Sequence, residues 1–262
     1  MANPNTNTVG EYMTPSVVSV TEDTSLHDVL RTLHGVDVSC VLVTSAHGSP
    51  VGVVSLSDLA RVSKLVGDRH APLGLMPPHR HAWEIMKSPV LTVSADDDVS
   101  QAAAKMVEHH VHRVFVMRGD RIVGVFSSRD ALRVAHLRRI ETPLRELMTH
   151  PVDSVLLGDS IDYAIARLTE TNRRGLAVLD GTYPVGVFTQ MEAIRARALS
   201  PELRRNPVEE VVSYESITLD ASTPAYRAAA QVLATRVRRI LVVEGRTLVG
   251  IVSGYDLARV IV

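Results

Sequence analysis

The stretch GVFSSRD, residues 124–130, has the pattern of a strand that turns into a helix, with a hydroxyl three residues before a carboxylate. The chain contains four versions of it: GVVSLSD at 52–58, GVFSSRD at 124–130, GVFTQME at 186–192 and GIVSGYD at 250–256. We call these segments the four corners. A motif that returns four times along one chain indicates a fold built from repeated units.

Two further segments return in the same order within each unit. An opening segment precedes each unit's first strand: GEYMTPSVVSV (10–20), WEIMKSPVLTV (83–93), RELMTHPVDSV (145–155) and EEVVSYESITL (209–219). A second apolar segment precedes each corner: VSCVLVT (38–44), VHRVFVM (111–117), RRGLAVL (173–179) and VRRILVV (237–243). The four units therefore share one design along their whole length.

Each unit has the pattern β-α-β-β-α, which predicts a mixed α/β fold. The first helix shows apolar residues at three- and four-residue spacing, as in Leu26, Val29 and Leu33. We predict repeats at 9–66, 82–139, 144–199 and 207–262, with a linker at 67–81. A unit of this size buries too little apolar surface to be stable alone, so neighbouring units are expected to pair.

The composition limits the class of protein. The 262 residues are 45% hydrophobic and 22% charged, with a net charge of −1, so no strong overall field favours a nucleic acid or an anionic membrane. Cys40 is the one cysteine and cannot form an internal disulfide. The polar first residues and the lack of a long apolar run predict a cytoplasmic protein without a signal peptide or membrane span.

The linker at 67–81 is rich in proline and histidine. His70, His79 and His81 lack a regular ligand spacing and have no obvious cysteine or carboxylate partners. We therefore interpret this segment as a surface linker in preference to a metal site, and we expect no bound metal.

The corners admit two interpretations. A Ser or Thr followed three residues later by Asp or Glu forms a capping box, which would satisfy free N–H groups at the helix start. The same groups could instead hold a ribonucleotide. A helix N-terminus attracts anions, a hydroxyl can bind phosphate, a carboxylate can accept two hydrogen bonds from a ribose diol, and the glycine leaves room for a ligand near the backbone.

Basic residues stand at one position of three repeats, directly before or at the start of the second strand. They are His112-Arg113, Arg173-Arg174 and Arg238-Arg239, whereas the first repeat has Val38-Ser39 there. A single pair would be typical of a solvated strand end. Three pairs at one repeat position favour a phosphate partner, because arginine matches phosphate geometry well.

Together, the M-T-x-x-V-x-x-V opening at 13–20, the HRVFVM strand and the G-h-h-[ST]-x-x-D corner resemble the CBS domain family. The resemblance extends over nearly the whole chain, and the overall layout looks like that of the gamma subunit of AMP-activated protein kinase and of stand-alone archaeal and bacterial four-repeat proteins. It implies two paired modules, which can form a flat disk, with adenosine ligands in clefts between paired repeats.

The resemblance also implies roles for individual residues. Ribose would be held by Asp58, Asp130 and Asp256. Phosphate would be bound by Ser55, Ser127, Ser253, His112, Arg113, Arg174, Arg238 and Arg239. Adenine would lie against Val18, Leu91, Ile217, Val111 and Val237.

The third repeat departs from this pattern. It has Thr189 and Glu192 at the corner, and Asp153 replaces an apolar residue where the adenine wall is expected, so we predict that its site is the weakest or empty. An inorganic anion beside Arg173 and Arg174 is possible there. The first repeat lacks a basic pair, so a phosphate at its corner would depend on a neighbouring repeat.

No motif indicates catalysis: the cysteine has no evident partner, and no G-x-x-x-x-G-K loop occurs. We expect a non-enzymatic regulatory module that binds AMP, ADP or ATP, without a further cofactor, and signals energy state to an unknown protein partner, with a homodimer as one form of assembly. A first alternative is a sensor of S-adenosylmethionine or another adenosine derivative.

A second alternative, from another class, is a nucleic-acid-binding protein. The segments ALRVAHLRRIETPLRE and EAIRARALSPELRR are basic helices, but the net charge and the 4% aromatic content argue against this class. A steep salt dependence of RNA or DNA binding would favour it, whereas saturable nucleotide-specific binding would favour the sensor.

Overall fold

The structure is a computed structural model that describes residues 7–36, 38–66, 74–171, 173, 175–235 and 237–262. Arg174 and His70 lie outside the described residues. The described elements form four three-stranded sheets, one two-stranded sheet and the helices that flank them, which confirms the mixed α/β class.

The first two repeats contain the following elements, in chain order. The first repeat consists of α1 (Val9–Tyr12), β1 (Ser19–Thr21), α2 (Leu26–Gly35), β2 (Cys40–Thr44), β3 (Pro50–Ser55) and α3 (Leu56–Val62), followed by β4 (Lys64–Val66) and β5 (Gly74–Met76). The second consists of a 3-10 turn (Ala82–Glu84), β6 (Thr92–Ser94), α4 (Val99–Glu108), β7 (Arg113–Arg118), β8 (Arg121–Ser127) and α5 (Ser128–Leu137).

The last two repeats follow the same order. The third consists of α6 (Leu144–Leu147), β9 (Ser154–Leu156), α7 (Ile161–Glu170), β10 (Gly175–Asp180), β11 (Tyr183–Thr189) and α8 (Gln190–Arg197), with a 3-10 turn at Leu203–Arg205. The fourth consists of a 3-10 turn (Val208–Glu210), β12 (Ser216–Asp220), α9 (Ala225–Thr235), β13 (Arg239–Glu244), β14 (Thr247–Ser253), α10 (Gly254–Ala258) and a last 3-10 turn (Arg259–Ile261).

All four three-stranded sheets have one topology. The middle strand pairs in parallel with the first strand of its repeat, and in the first, third and fourth repeats it pairs antiparallel with the third strand. The parallel pair is separated by a helix, as a crossover requires, and the antiparallel pair is joined by a tight turn. The third strand ends at the cap residue of the second helix, and this junction forms the corner.

One local prediction was incomplete and another was wrong. Each repeat begins with a short helical turn, such as α1 or α6, that the β-α-β-β-α pattern does not contain. The segment LARVSKLV was interpreted as one helix, but α3 ends at Val62 and Lys64–Val66 forms a strand paired with Gly74–Met76. Part of the predicted 67–81 linker is therefore a strand, because its backbone groups find partners in β4.

Each opening segment pairs with the neighbouring repeat. Four isolated antiparallel bridges join an opening residue to the strand that leads into the partner's corner: Thr14 to Val125, Lys87 to Val53, Thr149 to Ile251 and Ser213 to Val187. Apolar clusters join the same pairs of sheets, with Cys40, Leu42 and Phe115 in one cluster and Ala177, Val187 and Leu241 in another. Repeats one and two, and repeats three and four, are thus paired, as predicted.

The chain divides into two compact units whose boundary lies inside the second repeat. One unit contains Thr8–Asp97 and Arg113–Phe126, and the other contains Asn7, Asp98–His112 and Ser127–Val262. Within the latter, α5 packs against α9 and α10 of the fourth repeat. Arg129 donates a hydrogen bond to the carbonyl of Leu233 at 3.2 Å across this contact. No helix in the described ranges is long and apolar enough to span a membrane.

Candidate functional site

All four corners form the predicted capping box. At each corner the backbone N–H of the cap residue donates to the carboxylate three residues later, at 2.8–3.0 Å, and the cap hydroxyl donates to the same oxygen. The pairs are Ser55 with Asp58, Ser127 with Asp130, Thr189 with Glu192 and Ser253 with Asp256. One carboxylate oxygen is therefore committed to the helix start, and binding chemistry depends on the other.

An arginine that the sequence analysis missed follows each corner carboxylate by three residues: Arg61, Arg133, Arg195 and Arg259. Its guanidinium lies 3.4 Å from Asp58, 3.1 Å from Asp130 and 4.0 Å from Glu192. The signal was available in the sequence, because the corners align without gaps and this position carries arginine in every copy.

The Asp58 corner is saturated by donors. Its Oδ2 accepts from the Ser55 backbone and hydroxyl, and its Oδ1 lies 3.0 Å from Lys87 Nζ and 3.4 Å from Arg61. Burial by itself raises the pKa of Asp58, but hydrogen bonds from Ser55 and Lys87 outweigh it and hold the pKa below the ordinary value of 3.8. Asp58 is therefore an ionised carboxylate paired with the Lys87 ammonium.

The Asp130 corner is the more deeply desolvated one. Asp130 is buried, and its Oδ1 is contacted by Arg133 at 3.1 Å. Burial raises the pKa of this carboxyl above its ordinary value, and the hydrogen bonds from Ser127 and the charge of Arg133 offset only part of the effect.

The Asp256 corner differs from the other three in exposure. Asp256 is half-buried, whereas Asp58, Asp130 and Glu192 are buried. Its Oδ2 accepts from Ser253, and its Oδ1 has no partner among the residues that the structure describes. The second oxygen of Asp256 therefore has no described cation against it, unlike that of the other three corners.

Several predicted groups surround the Asp256 corner. Arg239 is the register partner of Ser253 across β13 and β14. The ring of His112 contacts Tyr255 edge to face, with ring centroids 5.7 Å apart, so that the second repeat contributes a ring beside the fourth repeat's corner. Tyr255 is fixed by a 2.9 Å hydrogen bond from its hydroxyl to the carbonyl of Val107. Arg238 is exposed beside Arg239.

Asp153 of the third repeat is held in local ion pairs. Arg173 Nε lies 2.9 Å from its carboxylate and Arg167 lies 3.6 Å from it, so the charge that replaces an apolar residue of the expected adenine wall is paired. The pairing neutralises the charge that desolvation would otherwise make costly. A pocket of about 280 Å³ nearby is lined by Arg173, Arg197 and other residues of α7 and α8.

Arg113, the arginine of the second repeat's basic pair, is hydrogen-bonded to residues of the first repeat. Arg113 donates to the Ser39 hydroxyl at 2.9 Å and to Cys40 Sγ at 2.8 Å. Burial raises the pKa of the Cys40 thiol, and the charge of Arg113 offsets only part of this. Arg113 thus lies against the position where the first repeat lacks a basic pair.

The corner glycines leave room for another segment of the protein, whereas the sequence analysis expected them to leave room for a ligand. A Cβ on Gly124 would lie 2.5 Å from Met13 Sδ and 2.8 Å from the Thr14 carbonyl, and a Cβ on Gly52 would lie 2.6 Å from Met86 Sδ. The glycine admits the opening segment of the partner repeat, so the expectation that it leaves room for a ligand was wrong at these positions.

The residues expected against adenine are half-buried and lie within a strand or one or two residues before one: Val18, Leu91, Ile217, Val111 and Val237. Val18 packs against the core of the first repeat, and its carbonyl accepts a 2.9 Å hydrogen bond from Leu42. The Leu91 carbonyl accepts equivalently from Phe115 at 2.8 Å. Their assignment to an adenine wall stays a prediction.

The described histidines of the predicted linker have partners inside the protein. His79 stacks near His27, with ring centroids 5.4 Å apart, and His81 Nδ1 lies 2.7 Å from the carbonyl of Asp23. Within the described ranges, no cluster of three or more His, Cys, Asp or Glu side chains has the arrangement of a metal site.

The family assignment follows from comparison with known proteins. The CBS domain model matches residues 9–65, 82–137, 144–199 and 208–262, so the chain belongs to the CBS domain family and contains four of its repeats. The predicted resemblance is therefore confirmed.

Two solved structures share this fold over almost the whole chain. Protein MJ1225 from Methanocaldococcus jannaschii, which has been proposed as an archaeal homolog of g-AMPK, has a TM-score of 0.71, is 15% identical, and the match covers 96% of this chain and 99% of that chain. An uncharacterized conserved protein from Pyrococcus horikoshii has a TM-score of 0.69, is 20% identical, and the match covers 97% and 100%. These similarities establish the four-repeat fold.

One curated relative aligns with nearly the full chain. The uncharacterized protein MJ1404 from Methanocaldococcus jannaschii is 23% identical, and the match covers 97% of this chain but 61% of that protein. This chain therefore spans less than two thirds of that relative's length.

Proposed function

We propose that this chain is a non-enzymatic regulatory module that binds adenine ribonucleotides at the corners of its CBS repeats. The observation that carries the proposal is the Asp256 corner, where a half-buried carboxylate keeps one oxygen without a partner among the described residues. A ribose diol supplies the two O–H donors that such an oxygen accepts.

The groups around Asp256 suit the rest of a nucleotide. Arg239 lies across from Ser253, so a phosphate beside the Ser253 hydroxyl would meet a guanidinium. The His112 and Tyr255 rings offer a polar and aromatic boundary on the side of the second repeat. In this proposal Ile217 and Val237 contact adenine, and a bound nucleotide alters the surface presented to a partner protein or to a second copy of the chain.

The Asp130 corner is the second proposed site. Its carboxylate is held by Arg133, which is half exposed and can turn toward a phosphate when a diol takes its place. The third corner is proposed to be the weakest, since Glu192 extends the carboxylate by one methylene and Arg173 is engaged with Asp153.

Isothermal titration calorimetry of the full chain with AMP, ADP, ATP and S-adenosylmethionine tests the proposal. We expect saturable binding of at least one adenine nucleotide. Asp256→Ala should weaken one class of sites about tenfold or more, because a hydrogen bond to a charged group contributes roughly 1.5–3 kcal/mol.

A matched control separates binding from capping. Asp220 accepts from the Ser222 backbone at 2.8 Å and from its hydroxyl, as a corner carboxylate does, but it lies outside the corners. Asp220→Ala should lower stability slightly without changing affinity. If Asp256→Ala behaves like Asp220→Ala, Asp256 is only a cap. If the chain binds S-adenosylmethionine and none of the three nucleotides, the ligand in the proposal is S-adenosylmethionine and not a nucleotide.

A further inference from the structure

Each opening segment places one residue at the same point beside a corner of the partner repeat. At the Asp58 corner the side chain of this residue differs from that at the other three. The residue that bridges to the partner strand is Thr14, Thr149 or Ser213 in three cases and Lys87 in the fourth. The backbone geometry is the same in all four, with reciprocal N–H to carbonyl hydrogen bonds of 2.9–3.1 Å. The difference between the corners therefore lies in the side chain.

The backbone of Lys87 is fixed by its bridge to β3. Its backbone exchanges two hydrogen bonds with Val53, of 2.9 Å and 3.0 Å, two residues before the cap residue Ser55. Met86, immediately before it, packs against Gly52. The side chain then has a short path to the corner, and Nζ lies 3.0 Å from Asp58 Oδ1.

The contact uses the remaining capacity of Asp58. An ionised carboxylate offers about four acceptor positions. The Ser55 backbone and hydroxyl take two on one oxygen, and Lys87 and Arg61 take two on the other. A diol could bind only by displacing the Lys87 ammonium or the Arg61 guanidinium from a carboxylate that is 4% exposed, which would leave a buried charge with one counter-ion fewer.

We infer that Lys87 is a built-in counter-ion that fills the Asp58 corner and excludes a ribose from it, so that this one residue determines whether the Asp58 corner can take a nucleotide. The inference depends on the proposed function, since it concerns the same chemistry at a corner that the sequence analysis counted among the ribose sites. Asp58 then serves the first module as an internal ion-pair partner.

Counting bound AMP tests the inference. Equilibrium dialysis with radiolabelled AMP gives the number of equivalents bound at saturation by the native chain and by Lys87→Thr, which carries the side chain of two counterpart positions. We expect Lys87→Thr to bind one equivalent more than the native chain. Asp58→Ala in the Lys87→Thr background should remove that extra equivalent.

Three further variants keep the result interpretable. Lys87→Ser carries the side chain of the remaining counterpart and should behave like Lys87→Thr, so a folding defect specific to either is recognised. Lys87→Arg retains the cation and should keep the native stoichiometry. Lys64→Thr removes an exposed lysine elsewhere in the same unit and should also leave the stoichiometry unchanged.

The outcomes distinguish the inference from the proposed function. If the native chain binds AMP and neither Lys87→Thr nor Lys87→Ser binds more, the inference is overturned while the proposed function stands. If both variants bind fewer equivalents, Lys87 is a phosphate ligand and the inference is again overturned. If the native chain binds none and the variants bind one equivalent, the inference holds and the proposed function of the native chain fails. Binding by none of them overturns both.

Discussion

At the residue scale, two corners with the same capping hydrogen bonds hold carboxylates whose pKa values shift in opposite directions. Burial raises the pKa of both Asp58 and Asp130, but only at Asp58 do the surrounding donors, with Lys87 among them, outweigh that effect. The second oxygen of each carboxylate, and not the capping box, therefore decides how the group behaves.

This difference predicts opposite pH dependences for two matched substitutions. A depressed pKa gives Asp58 a contribution to stability that is present above its unfolded pKa and lost as pH falls through its folded pKa, below 3.8. A raised pKa gives Asp130 a contribution that is present below its unfolded pKa and lost as pH rises through its folded pKa. The free-energy deficit of Asp58→Asn should therefore shrink as the pH falls, and that of Asp130→Asn should grow.

Urea unfolding of both variants and the native chain between neutral pH and the acid limit of folding measures these deficits. At neutral pH, Asp58→Asn should cost roughly 1.5–3 kcal/mol, as expected for loss of hydrogen bonds to a charged group. Parallel pH profiles for the two variants would contradict the assigned electrostatics.

The sequence predicted the parts of the site that depend on near neighbours along the chain. A capping box needs only Ser127 and Asp130, three residues apart, so the local sequence pattern was enough to predict it. The contact of Lys87 with Asp58 depends on a strand bridge between two repeats, which no local pattern contains. A weak signal existed, because Lys87 aligns with Thr14, Thr149 and Ser213, but its meaning required knowing which corner it faces.

At the element scale, the sequence predicted hairpins and crossover helices well and the short elements that depend on distant contacts poorly. Alternating apolar residues and glycine turns fix the hairpins locally, whereas the helical turns α1 and α6 contain only four residues each and depend on contacts with another repeat. A different non-local contact sets the end of α3, which stops at Val62 because the next residues pair with Gly74–Met76.

The close approach of an opening segment to its partner strand gives an element-scale prediction. Gly124→Ala should destabilise the protein by about 1–3 kcal/mol, because the added Cβ would lie 2.8 Å from the Thr14 backbone carbonyl, which cannot move without breaking the bridge to Val125. Denaturant unfolding measures the loss.

Gly158→Ala is the matched control for this substitution. No atom lies within 4 Å of a Cβ built on Gly158, so its stability should stay within about 0.5 kcal/mol of the native value. Equal effects of the two substitutions would show that backbone entropy, and not the close approach, determines the result.

At the scale of the whole molecule, the second repeat connects two compact units. Its strands belong with the first repeat, while α4 and α5 belong with the third and fourth repeats. The sequence predicted that the repeats pair through their sheets, because each repeat presents an apolar sheet face, and the strand bridges show that repeat one pairs with two and repeat three with four. It did not predict that α5 packs with α9 and α10, since the helical patterns show that a face is buried and not what covers it.

Because the chain passes between the units on both sides of α4 and again before α5, we predict that they unfold together. Leu132 in α5 is buried, and its Cδ1 would lie 3.9 Å from a Cβ on Gly254 of α10. Leu132→Ala should cost about 2–5 kcal/mol, as for other buried leucines. Leu137→Ala, on the same helix but 55% exposed, should cost no more than about 0.5 kcal/mol.

The single tryptophan makes the cooperativity measurable. Trp83 lies in the unit that does not contain Leu132, so its fluorescence reports one unit while far-ultraviolet circular dichroism reports the helices of both. For Leu132→Ala, the two signals should shift to lower urea concentration by the same amount. A circular dichroism transition that moves while the Trp83 transition stays in place would mean that the units unfold independently, and that the second repeat connects them only covalently.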